Sequence, residues 1–142
     1  MTVDIIEDPV PLATSWHTRI ARFGLRWPIA DTAVITADGA IDAANAGELG
    51  DYALRVSARC GYLVLDLTGV DFFGTQGFSM LHMFNVRCAK AGVRWAMVPS
   101  AAVHRVLRIC DPEGGLNAAH TVESALELVH AEPRRLLHLV AQ

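Results

Sequence analysis

Tyr62-Leu-Val-Leu-Asp-Leu-Thr-Gly-Val-Asp-Phe-Phe-Gly-Thr-Gln-Gly-Phe78 is the stretch on which the fold turns. Its first six residues are apolar except for Asp66, the pattern of a strand covered on both faces. Residues 68–74 hold two glycines and read as a loop. From Thr75 the spacing becomes helical, and a helix is expected over residues 75–91 with Gly92 as its stop.

Working outward, residues 42–59 place Leu49, Ala53, Val56 and Cys60 on one helical stripe, with Asp42 as the expected cap and Gly61 as the stop. Residues 33–37 read as a strand closed by an Asp38-Gly39 turn. Residues 15–23 alternate like a half-buried strand ended by Trp27-Pro28, and these two strands are expected to pair. Downstream, residues 93–98 form another buried strand. Pro99-Ser100 opens a helix with a stripe of Val103, Val106, Leu107 and Cys110, and residues 111–115 are a loop. A very short strand is expected near residues 117–119. Thr121 then caps a helix with Val122, Ala125, Leu126 and Val129 inward. The order β-β-α-β-α-β-α-(β)-α implies an α/β fold with a mainly parallel, four-to-five-stranded sheet.

The chain has 142 residues, 52% of them hydrophobic and 19% charged, with a net charge of −3. The expected division is a lead-in over 1–12, one domain over 13–131 and a tail over 132–142. A chain of this size buries roughly 68–70% of its unfolded surface, enough to fold without a disulfide or metal. The apolar content excludes a mostly disordered chain. The longest uncharged stretch, residues 72–86, is interrupted by polar residues and is shorter than the about 20 that a span needs. The start is acidic, unlike a signal peptide, so a cytoplasmic protein is expected. Near-zero charge argues against nucleic acid as the partner. Cys60, Cys88 and Cys110 form no CxxC pair and read as buried thiols, with a Cys88–Cys110 disulfide as the alternative.

The quoted stretch resembles the signature of the STAS domain, the fold of anti-sigma-factor antagonists and of sulphate-transporter tails. Residues 63–66 match its buried strand, Val70 and Phe72 its apolar positions, and Gly77 the glycine two residues after a helix-opening Ser or Thr. A second match lies upstream, with Gly39, Ile41 and Asp42 aligned to a "G.lD" run. The element order agrees from about residue 14 to 130.

The resemblance implies an anti-sigma factor antagonist. Such a domain binds an anti-sigma factor of the GHKL serine-kinase type, frees a sigma factor and is switched by phosphorylation. By position the phosphorylated residue is Thr75; Gly74 stands where the family usually has Asp, and Gln76 where Ser is common. Thr75 also sits where a helix N-cap belongs, so capping alone and capping with phosphorylation both remain open.

On a helical wheel Gly77, Leu81, Phe84 and Cys88 face inward. Thr75, Ser79, His82, Met83 and Val86 lie opposite. With Gln76 they form the expected partner-binding surface, because exposed apolar groups beside a hydroxyl suggest docking. Asp66 is expected to bind loop groups such as Thr68.

The six histidines show no zinc spacing, and no P-loop or G-x-S-x-G motif occurs. No catalytic residue, metal or cofactor is therefore assigned. A ligand-sensing STAS domain that binds a small molecule or nucleotide near the same loop is the alternative. A homodimer, and the disposition of the tail, stay open.

Overall fold

The apolar run at residues 62–67 lies in the middle of the sheet. In the computed structural model, which describes residues 21–131, it opens β3 (Tyr62–Phe73). Parallel neighbours flank it, β2 (Thr32–Ile41) on one side and β4 (Arg94–Pro99) on the other. β1 (Ala21–Ile29) pairs antiparallel with β2. The order among the described residues is thus β1-β2-β3-β4, with the parallel pairs expected. The helices are α1 (Ala46–Ser57), α2 (Thr75–Ala91), α3 (Ala101–Cys110) and α4 (Val122–Val129).

Strand alternation divides the core in two. Ala33, Ile35, Leu63, Leu65, Leu67, Trp95 and Met97 point into the larger cluster, which α1, α2 and α3 cover. Val34, Val64, Ala96 and Val98 point the other way, under Ala125 and Val129 of α4. The double coverage read from residues 62–67 and 93–98 is present.

Several boundaries are corrected. Asp38-Gly39 is no turn: β2 continues to Ile41, and register shifts on either side of this pair absorb it as an irregularity against β3. Gly39 takes φ 101°, open to glycine at little cost. Residues 68–74 are no loop either, since β3 runs on to Phe73 against the extended β2, with Gly39 beside Val70 and Ile41 beside Phe73. Trp27-Pro28 does not end β1, because an edge strand tolerates the missing N–H.

Asp42 does not cap α1. The N-cap is Asn45, whose side chain instead donates to the Ala40 carbonyl at 2.8 Å and accepts from the Asp42 N–H at 2.9 Å. Gly61 is not its stop, since α1 closes at Ala58. Gly61 donates to the Asp31 carboxylate at 2.9 Å, and a side chain there would strike that group. The short strand near residues 117–119 is a single bridge between Met97 and Ala118. Ser100 caps α3, and Thr121 caps α4 in a reciprocal box with Ser124. Residues 15–20, the lead-in and the tail lie outside the described residues.

The far end of α4 is tied to the sheet. The Arg94 guanidinium donates to the Ala131 carbonyl at 2.7 Å. The His130 ring bonds to the Leu126 carbonyl at 2.8 Å and the Thr32 hydroxyl at 3.1 Å, and lies over Tyr62 with centroids 4.3 Å apart.

All three cysteines are free; Cys88 is buried, while Cys60 and Cys110 are half-buried. Burial pushes the Cys60 thiol up to about 11 and that of Cys88 up to about 12, from 9.0. The unfolded chain therefore loses these protons first as pH rises. The stability they contribute is complete below pH 9.0 and is lost as pH climbs through 11 to 12. Urea melts at successive pH values should show this fall, and Cys88→Ala should make it shallower.

Candidate functional site

The opening of α2 is set by the strand before it. The Gly74 N–H still donates to the Ile41 carbonyl at 2.9 Å, so the chain belongs to the sheet through Gly74. Gly74, extended at φ −85° and ψ 173°, is the N-cap and offers no side-chain cap. Thr75 is thereby moved one place along, to the first helical residue, and the capping role expected of it is corrected. Its side chain is exposed and lies at the positive end of α2, whose first turn carries no carboxylate.

Two contacts fix which way α2 faces. Gly77 leaves room for the Phe73 ring: a Cβ there would lie 2.5 Å from it. Phe84 meets Trp95 edge-on at 4.9 Å between centroids, and the Trp95 indole N–H donates to the Asn85 side-chain oxygen at 2.9 Å. Gly77, Leu81, Phe84 and Cys88 are buried as the wheel requires, and Met80 joins them against Gly50 of α1. Gly92, at φ 75°, ends the helix as expected.

The opposite side holds Thr75, Gln76, Ser79, His82, Met83 and Val86, all exposed and within about 120° of the circumference. Met83 is 53% and Val86 37% exposed, so among the described residues no loop closes over either side chain. His82 stacks on Phe78 with centroids 6.3 Å apart. The helix has no acidic residue, and Arg87 and Lys90 give its later turns positive charge. Sequence reasoning missed Phe72, which is 42% exposed at the end of β3, three residues before Thr75. Reading residues 68–74 as a loop hid it; continuing the strand would have raised the question of which face it takes.

Asp66 does what was expected, accepting from the Thr68 N–H at 3.0 Å and its hydroxyl at 2.7 Å. Among the described residues no group of three or more His, Cys, Asp or Glu is arranged to hold a metal. No described helix is long and apolar enough to cross a membrane.

The STAS domain family model matches residues 28–135, which takes in the whole sheet from the end of β1 onward, together with all four helices. This chain belongs to the STAS domain family. A curated relative, Osmosensory protein A of Mycobacterium tuberculosis, is 37% identical over 107 residues, covering 72% of this chain and 68% of the relative. The STAS fold here is shared with an anti-sigma factor antagonist from Mycobacterium paratuberculosis (TM-score 0.69, 22% identity, 78% of this chain and 95% of that one). It is shared also with the anti-sigma factor antagonist SpoIIAA in its unphosphorylated form (TM-score 0.62, 17% identity, 75% and 95% coverage). SpoIIAA, a Bacillus cell fate determinant, has been solved in a phosphorylated form too (TM-score 0.58, 16% identity, 76% and 99% coverage). In this STAS domain glycine at position 74 is not forced by space, since a Cβ there would meet nothing nearer than 3.6 Å.

Proposed function

We propose that this STAS domain is a cytoplasmic, non-enzymatic anti-sigma factor antagonist. It binds an anti-sigma factor of the serine-kinase type through the outer face of α2 and so releases a sigma factor. The observation that carries this reading is the exposure of Met83 and Val86 on the same helix face as Thr75. Apolar groups left in water on a helix whose other side is fully packed suit burial by a protein partner better than isolation. The names of the solved relatives point the same way.

Phosphorylation at Thr75 would act as the switch. A phosphate adds a charge of about −1.5 to −2. At the first helical residue it meets free backbone N–H groups and the positive end of the dipole, so the domain itself tolerates it. The cost falls on the docked complex, where the phosphate intrudes between apolar surfaces. Its absence of a carboxylate neighbour at Gly74 removes one source of repulsion from the same turn.

Incubation with the kinase partner and ATP should place one phosphate on Thr75, and none in Thr75→Ala. Thr75→Glu should weaken partner binding by at least about tenfold, with an unchanged melting temperature. No phosphate incorporation together with unchanged affinity for Thr75→Glu would remove the switch from this proposal.

A further inference from the structure

A second feature lies at the other end of the helical layer. α3 starts where β4 ends and runs back, so its last turn is far from Thr75. His104, Leu107, Arg108 and Asp111 recur at i, i+3, i+4 and i+7 and form one wall of a cleft of about 430 Å³. Leu116 and Ala118 line the facing wall. The cleft is closer to an open groove than to an enclosed cavity, so although its volume falls within the range of about 300–1,000 Å³ typical of small-molecule sites, it holds a ligand with one side in water.

Both walls are held in place. The Asp111 carboxylate accepts from the Gly115 N–H at 2.9 Å and the Leu116 N–H at 3.0 Å, which draws the loop into a hoop over the end of α3. Gly114, at φ 69°, makes that hoop possible. Beyond it, the bridge between Met97 and Ala118 fixes the far wall through bonds of 2.8 Å on either side.

The lining has a distinct chemistry. Leu107 and Leu116 are almost wholly buried and give it an apolar floor. Arg108 and Asp111 supply one positive and one negative group, yet the two do not pair with each other. Asp111 is turned to the loop instead, and each of its oxygens accepts one N–H and keeps capacity for a further donor. The negative end of the α3 dipole lies beside Asp111 and adds to its preference for a cation. A simple anion would meet Arg108 favourably but Asp111 and the dipole unfavourably; a simple cation meets the reverse.

From this arrangement we propose that the cleft binds a small zwitterion of the α-amino-acid type with a compact apolar side chain. Its carboxylate engages Arg108, its ammonium engages Asp111, and its side chain rests on Leu107 and Leu116. This site is independent of the α2 face and does not rest on the partner reading.

Titration of the full chain with L-leucine, followed by amide NMR, tests it. Saturable shifts are expected at Leu107, Arg108, Gly114, Gly115 and Leu116, with α2 unaffected. Leucinamide lacks the carboxylate and 4-methylpentanoate lacks the ammonium, and each should bind at least about tenfold more weakly, as loss of a charge-assisted hydrogen bond implies. Arg108→Gln, an exposed substitution that leaves the fold intact, should weaken leucine by a similar factor. Failure of leucine to saturate overturns the proposal, as does equal binding of all three probes or full affinity in Arg108→Gln.

Discussion

Phe84→Ala is expected to lower the unfolding free energy by about 3–5 kcal/mol, the cost of deleting a buried aromatic ring and leaving a cavity. Phe84 is 1% exposed and sits edge-on to Trp95, between the middle of α2 and the sheet. Its removal takes away dispersion contacts on both sides, and the rigid Trp95 ring, itself held by Asn85, cannot collapse into the gap. Urea denaturation read by circular dichroism would measure it. A loss below about 1 kcal/mol would mean that α2 is not anchored through this ring.

Met83→Glu, one residue earlier, should do the opposite. More than half of Met83 is exposed, so the substitution should change stability by no more than about 0.5 kcal/mol. Within the proposed docking face it puts a charge where an apolar contact is needed. The expected loss of affinity for the anti-sigma partner is about 2 kcal/mol or more, roughly 30-fold, in the range of interface hot spots. Calorimetric titration together with a melting curve separates the two effects. Wild-type affinity in Met83→Glu would remove this face from the interface, and a large drop in melting temperature would make Met83 a packing residue. Adjacent residues thus carry contrasting expectations because a helix turns about 100° per residue.

The parts of the fold legible in the sequence were those that rest on periodicity. α2 begins and ends where expected because its apolar stripe and Gly92 point to the same helix. The inward and outward sets on α2 follow from the same spacing. What escaped was the use of turn-forming residues inside strands. Asp38-Gly39 and Thr68-Gly69 look like breaks, but they face each other across β2 and β3, where the register shifts take them up; Asp38 pairs with Gly69 there. Only the partner strand reveals that arrangement. Asn45 and Thr75 show a related limit. Each is a good cap by residue type, but neither caps its helix with its side chain. The Asn45 amide is committed to the end of β2, and the bond from Gly74 to Ile41 places the N-cap on Gly74, one residue before Thr75.

The bond from Arg94 to Ala131 has a practical side. It holds the end of α4 at the start of β4, beside Tyr62, whereas α2 opens beyond the other end of β3. At about 3.3 Å per residue the 12 residues of β3 separate the two by roughly 40 Å. A protein tethered to a sensor surface by a linker joined just after Ala131 would present Thr75 and Met83 to solution. Immobilisation through an introduced cysteine at Ser79 would bury the same face against the support.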